Sequence, residues 1–164
     1  MERNALRYRT TRWERARTAH LRAPGDFAKH LRDLARPLQI EYQRLMAAHG
    51  GRPIGIECRS AFRPAWAFVL PEMNEAGRFR VQCFDEDGFF SHQVYDGLEQ
   101  AIENMMVDGY RTPDVGALDR IAATDRWAMG VKYATLRQRF QEGLITYVRM
   151  LEEMKALSEG KAVL

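Results

Sequence analysis

The spacing of apolar side chains changes twice along the chain and divides it into a helical, a strand-rich and a second helical segment. Between Asp26 and Gly50-Gly51 the apolar residues recur at helical spacing, which predicts a helix over residues 26–49. Pro37 lies within this repeat without changing its phase, so we expect a kink or an interruption there. The apolar residues of the repeat are Phe27, Leu31, Leu34, Leu38 and Leu45.

Four short segments that follow are rich in aromatic and β-branched residues. They predict strands at residues 54–58, 65–70, 79–84 and 89–95. Turn-forming residues separate these segments, and the connections are too short for parallel crossovers. We therefore predict an α+β fold in which an antiparallel four-stranded β-meander, residues 54–95, packs against helices on one face.

Helical spacing returns at residue 96 and extends to about residue 158. Asp96 and Glu99 match a capping box for a helix that ends at Gly109. Thr112-Pro113 matches the start of the next helix. A long C-terminal helix is predicted from about residue 124 to about residue 157, and it is expected to cover the sheet and the first helix. Homodimerisation through this helix is the alternative. Its apolar seam consists of Tyr133, Leu136, Phe140, Leu144, Tyr147, Leu151 and Met154.

A basic N-terminal arm, residues 1–25, precedes these elements, and residues 26–164 are expected to form one domain. The arm contains seven arginines and few large apolar residues. Thr11 and Glu14 match a capping box for a short helix. We expect the arm to be mobile or loosely docked.

The densest run of potentially chemical side chains surrounds Asp87-Gly88, a dipeptide that favours a type I′ hairpin turn. Such a turn would place Asp85 opposite Phe90, and Cys83 opposite His92. The predicted core face of the hairpin consists of Phe79, Val81, Cys83, Phe90, His92 and Val94. The other face would carry Arg80, Gln82, Phe84, Ser91, Gln93 and Tyr95.

This run does not match a metal or catalytic motif. An EF-hand loop with Gly88 at its sixth position would have Cys83 and Val94 where oxygen ligands are required. We expect Cys83 and His92 to be a packed thiol beside a hydrogen-bonded imidazole, because an apolar setting opposes the thiolate. A zinc site that adds Cys58 lacks the usual ligand spacing. We therefore predict no catalytic residue, no metal site and no cofactor.

Charge and composition indicate the kind of partner and the compartment to expect for the protein. Residues 1–36 carry a net charge of +6 and residues 85–125 a net charge of −8. Two cysteines do not make a disulfide framework and no signal-peptide pattern opens the sequence, so we expect a reducing cytoplasm. No apolar run approaches the ~20 residues of a membrane helix. The excess of arginine over lysine is compatible with a bacterial protein.

Two functions fit these features. The first is a non-catalytic protein-binding module, an inhibitor or accessory factor, that presents aromatic anchors within an acidic rim to a partner with a basic surface. Its predicted binding residues are Phe84, Asp85, Glu86, Asp87, Phe89, Tyr95, Glu99 and Glu103. The alternative is a nucleic-acid-binding accessory protein whose arginines contact phosphates and whose aromatic rings stack on bases. The residues predicted for that role are Arg3, Arg7, Tyr8, Arg9, Arg12, Trp13, Arg15, Arg17 and Arg22.

Overall fold

The computed structural model describes residues 8–160, which divide into two compact units. The first unit contains the described residues up to Cys83 together with Ser91–Ala117. The second contains Phe84–Phe90 and the described residues from Leu118 onward. Over this range the fold is α+β, with six α-helices and five strands. None of these helices has both the length and the apolar character needed to cross a bilayer. The single-domain organisation stays a prediction.

The sheet consists of β1 (Glu57–Ser60), β2 (Trp66–Pro71), β3 (Phe79–Asp85), β4 (Gly88–Tyr95) and β5 (Tyr110–Pro113). The strand order is β4-β3-β2-β1-β5, so the first four strands follow one another as a meander. β1 pairs antiparallel with both β2 and β5. The prediction of an antiparallel sheet is confirmed, whereas the prediction of four strands is wrong.

The fifth strand occupies residues that the sequence indicates as a helix start. Thr112 pairs with Arg59, and Pro113 pairs with Cys58, at one edge of the sheet. Proline has no N–H to donate, and an edge strand is where a sheet tolerates this loss. The next helix, α4 (Ala117–Ala122), begins after Gly116 instead.

The helical elements of the first unit are α1 (Thr11–Thr18), a 3₁₀ turn (Ala19–Leu21), α2 (Gly25–Ala48) and α3 (Leu98–Val107). α2 continues through Pro37 without interruption. Pro37 and Asp33 are both exposed, so water can bond the Asp33 carbonyl that loses its helical partner. Asp96 does not cap α3 as predicted. Gly97 occupies the N-cap position, and Asp96 pairs with Arg78 at 3.0 Å.

From residue 8 onward the N-terminal arm packs against α2 and α3 within the first unit, and its predicted mobility stays a prediction. Thr10 caps α1 in place of Thr11, because its hydroxyl accepts a hydrogen bond from the Trp13 amide at 3.1 Å. The Thr10 amide donates to Gln39 of α2 at 2.8 Å. The Thr11 amide donates to Glu103 of α3 at 3.0 Å. These bonds connect α1 to both neighbouring helices.

The core of the first unit lies between α2, α3 and one face of the sheet. α3 contributes Ile102, Met105 and Met106 at helical spacing, and all three are fully buried. α2 contributes Leu45 and Met46 in the same way. Of the apolar repeat predicted for the first helix, Leu38 and Leu45 lie in this core, whereas Phe27 and Leu34 are exposed.

The predicted long C-terminal helix is wrong, because the segment forms α5 (Asp125–Gln141) and α6 (Tyr147–Ser158). Gly143 ends α5 with a φ of 72°, and the Leu144 amide donates to the Arg139 carbonyl at 2.8 Å, as in a Schellman motif. The Thr146 hydroxyl then caps α6 by accepting from the Arg149 amide at 3.2 Å. α5 and α6 pack against each other, so the apolar seam is folded on itself. Homodimerisation stays a prediction.

Candidate functional site

The candidate site is built around the tip of the β3–β4 hairpin. β3 ends at Asp85 and β4 begins at Gly88, so Glu86 and Asp87 form the turn. The Asp87 amide donates to the Asp85 carboxylate at 2.8 Å. Gly88 has a φ of 122°, while among the described residues only glycines have positive φ. A type I′ turn requires positive φ at both central residues, so the turn predicted at Asp87-Gly88 is wrong.

This turn moves the β4 side chains to the faces opposite those predicted. On β3, Val81 is buried and Cys83 packs against the core, as expected. On β4, Tyr95 packs against the core, whereas Phe90 and His92 are exposed. A shift of one residue has this effect because successive side chains of a strand point to opposite faces. The predicted Cys83–His92 pair therefore does not form.

Cys83 instead borders a small groove of about 220 Å³ together with Arg63 and Tyr110. The Tyr110 hydroxyl accepts from the Arg63 guanidinium at 3.3 Å and contacts Cys83, and burial raises the pKa of Tyr110. Cys58 lies in the core, where burial raises the pKa of its thiol and opposes metal binding. Within residues 8–160, no three His, Cys, Asp or Glu side chains are placed to hold a metal ion.

Arg126 of α5 holds the acidic turn through a forked contact. The Thr124 hydroxyl caps α5 by accepting from the Trp127 amide at 3.2 Å, which places Arg126 in the first helical turn. Its Nε and Nη2 atoms each donate to Asp87 at 2.8 Å, and Nη1 donates to Glu86. The hydrogen bonds from Arg126 hold the pKa of Asp87 below its ordinary value. Part of the negative charge of the turn is thus offset, although solvent weakens contacts this exposed.

Gly130 brings α5 against the backbone of the turn. A Cβ atom at this position would lie 1.9 Å from the carbonyl oxygen of Asp87 and 2.8 Å from its Cα atom. Real Cβ contacts essentially never fall below 3.0 Å, so any larger residue would displace the helix or the turn. A backbone contact and the side-chain fork from Arg126 therefore fix the tip together.

Three aromatic rings pack behind the turn. Trp127 contacts Phe89 at a centroid distance of 5.0 Å and Phe84 at 5.9 Å, both edge to face. Phe84 is fully buried and is a core residue rather than part of an exposed surface. Phe89 remains 51% exposed although Trp127 supports it. Phe89 is therefore an aromatic side chain that is both fixed and accessible.

A groove of about 470 Å³ lies along the tip and α5. The hairpin contributes Phe89 and Phe90, of which Phe90 is 41% exposed. α5 contributes Met129, Tyr133 and Arg137. Apolar side chains inside a charged rim are the usual composition of a protein interface. The groove can therefore receive an apolar side chain of a partner.

The other residues predicted for protein binding lie in the first unit. Glu99 is exposed and Tyr95 is partly buried. Glu103 is only 5% exposed, and its carboxylate accepts from the Thr11 amide and pairs with Arg12 at 3.1 Å. Glu103 therefore joins α1 to α3 and is not available on the surface.

Several arginines of the N-terminal arm already have carboxylate partners. Arg9 and Arg17 pair with Glu14 at 3.0 Å and 3.1 Å. Arg12 pairs with the buried Glu103. These contacts compete with phosphate binding, because each would have to be broken or shared.

The remaining arm residues differ in accessibility. Arg15 and Arg22 are exposed, whereas Trp13 is half-buried. The Tyr8 hydroxyl donates to the Gly51 carbonyl at 3.2 Å. Two predicted residues, Arg3 and Arg7, lie outside the described residues. The nucleic-acid hypothesis stays a prediction.

Comparison with known protein families, curated proteins and solved structures gives no match for this chain. Geometry alone therefore defines the candidate site. Phe89 is among the binding residues predicted from the sequence, whereas Arg126, Trp127 and Gly130 are not. Arg126 contacts Asp87 across 39 positions of the chain. The cap at Thr124 predicts where α5 begins, but a cap carries no information on what the helix packs against.

Proposed function

We propose that this protein is a non-catalytic protein-binding module, an inhibitor or accessory factor that acts by occupying a partner's surface through the hairpin tip. The observation that supports this function is the groove at Phe89 and Phe90, whose rings are exposed beside a fixed turn. Trp127 and the Gly130 contact hold that turn in place. Anchors that are ordered before binding lose less conformational entropy on association.

The proposed partner is another protein that inserts an apolar side chain into the groove and presents a basic surface to the rim. Asp85, Glu86 and Asp87 supply the negative charge of that rim. Arg126 offsets part of this charge, so we expect modest electrostatic steering and a mild salt dependence of the association rate. The charged rim should mainly change the association rate, and the aromatic rings should mainly change the dissociation rate.

We also propose a reducing cytoplasm as the compartment. Both cysteines are free thiols, and Cys58 is fully buried. Free thiols persist where reduced glutathione and thioredoxin systems operate.

The test is copurification of the partner from the native host, followed by surface-based kinetics with purified variants. Phe89→Ala and Phe90→Ala should each raise the dissociation rate, by about tenfold or more for a true anchor. Phe62→Ala is the matched control, because Phe62 is 81% exposed but belongs to the first unit. Circular dichroism would first establish that every variant is folded. Unchanged dissociation of both tip variants would contradict the proposed function.

A further inference from the structure

A second concave surface lies in the first unit, between α1 and α2. This groove has a volume of about 290 Å³. It is lined by Arg12, Arg15, Ala16, Leu31, Leu34 and Ala35. None of these residues belongs to the hairpin tip, and the function proposed above does not account for them.

Small residues at the helix contact create the groove. Ala16 and Ala35 are only 4% and 8% exposed, because α1 packs closely along α2 at these positions. Leu34 lines the same groove but is 65% exposed, and Leu31 beside it is partly buried. The groove therefore presents leucine side chains to solvent within a concavity, where a partner can cover them.

Two arginines, Arg12 and Arg15, line the groove beside this apolar floor. Arg15 is exposed, and the Arg12 side chain remains 56% exposed while it pairs with Glu103. Residues 8–36 carry a net charge of +5. An occupant that complements the groove must therefore combine apolar side chains with negative charge.

We propose that this groove binds an acidic amphipathic helix of a second partner protein. In helix-in-groove recognition, apolar residues at helical spacing fill the groove and flanking charges meet the rim. Carboxylates on such a helix would form charge-assisted hydrogen bonds with Arg15 and would share Arg12 with Glu103. The groove volume of about 290 Å³ is slightly smaller than that of small-molecule pockets, about 300–1,000 Å³. This favours a few inserted side chains over an enclosed cofactor.

The apolar floor also distinguishes this occupant from nucleic acid. Phosphates would satisfy Arg12 and Arg15 but would leave Leu31 and Leu34 facing polar groups. An amphipathic helix covers both kinds of side chain at once. The proposal concerns a different unit and a different partner chemistry from the hairpin tip.

The test is a selection of displayed peptides of about 16 residues, some four helical turns, on the immobilised full chain. Counter-selection uses the empty support, and Leu34→Asp, which should fold because Leu34 is exposed, is kept for the binding measurement. Enriched peptides should carry apolar residues at helical spacing with Asp or Glu beside them. A synthetic copy of an enriched peptide should bind Leu34→Asp at least about tenfold more weakly than the unchanged chain.

Charge variants provide the second arm of the test. Arg15→Glu should weaken binding of the synthetic peptide and reduce its salt dependence. Arg36→Glu makes the same charge change at an exposed position of α2 outside the groove, so its effect should be smaller. Phe89→Ala should bind the peptide as the unchanged chain does.

Several results would overturn the proposal. One is enrichment of basic or unpatterned peptides, and another is peptide binding that survives Leu34→Asp. Binding of a labelled single-stranded oligonucleotide that requires Arg15 but not Leu34, together with the absence of peptide binding, would assign the surface to nucleic acid. Loss of peptide binding in Phe89→Ala would show that the peptides recognise the hairpin tip, which would leave the function proposed for the tip standing.

Discussion

Replacement of Gly130 with alanine tests the contact on which the candidate site depends. In the exposed interior of a helix this substitution usually stabilises the protein by about 1 kcal/mol, because alanine loses less backbone entropy on folding. At Gly130 the added Cβ atom would lie 1.9 Å from the carbonyl oxygen of Asp87. The sign of the effect should therefore be reversed.

The structure sets the size of this effect. The Cβ atom must move away from the oxygen by at least about 1.1 Å, the difference between 1.9 Å and the 3.0 Å limit. Overpacking costs about 1–3 kcal/mol, and the obstacle here is backbone that cannot rotate away as a side chain would. The upper end of that range, less the gain in helix propensity, leaves a loss of about 2 kcal/mol in free energy of unfolding.

Hydrogen exchange in urea would measure this loss at the amides of α5, and the effect of the control at the amides of α2. Gly25→Ala is the matched control, because Gly25 begins α2 and nothing lies within 4 Å of its added Cβ atom. The control should be as stable as the unchanged chain or slightly more so. Equal stabilisation by both substitutions would refute the close approach of α5 to the turn.

Two further predictions concern the first unit. Burial, with smaller effects of Glu99 and Glu103, raises the pKa of Tyr42 to about 12. Because the folded state favours the protonated phenol, this contribution to stability is complete below the ordinary pKa of 10.0 and is lost as pH rises toward 12. In urea titrations across that pH window the unchanged chain should lose up to about 3 kcal/mol in free energy of unfolding through Tyr42, and Tyr42→Phe should not show this loss. Parallel pH profiles of the two proteins would contradict the prediction. Glu103→Ala should lower the free energy of unfolding by about 2 kcal/mol and speed hydrogen exchange in α1, because the Thr11 amide and Arg12 lose their partner. Glu103→Gln should recover part of this loss. Unchanged hydrogen exchange in α1 would contradict the role of Glu103.

The sheet could be predicted where local pattern and spatial order agree. β1 to β4 are short, bounded by turns and adjacent in space, so the meander follows from the sequence. β5 has four residues, including Pro113, and its pairing with β1 is a long-range contact that no local pattern indicates. The break between α5 and α6 had signals in Gly143 and Thr146, but the apolar residues stay in step across the loop and conceal it.

The face of each β4 side chain depended on one residue of turn geometry. Asp-Gly suits a type I′ turn, but it also suits a type I turn that is followed by a glycine with positive φ. The hydrogen bond from the Asp87 amide to the Asp85 carboxylate favours the second geometry. Because side chains alternate between the two faces of a strand, the one-residue error also reversed the faces predicted for His92 and Tyr95. Packing against α5 could not be predicted either, because it depends on where a distant helix docks.

The contacts at the tip explain how a polar turn can keep an aromatic ring exposed. An isolated hairpin is marginally stable in water, so its rings would have no fixed position. Here Trp127 supports Phe89, Gly130 allows α5 to approach the turn closely, and Arg126 pairs with Asp87 of the turn. The exposed part of the Phe89 ring contributes no burial free energy to folding, and a partner that covers the ring would gain that free energy on binding. Because the ring is already in place, such a partner should bind with little rearrangement of the tip, and the association rate should then depend on orientation and charge rather than on a folding step.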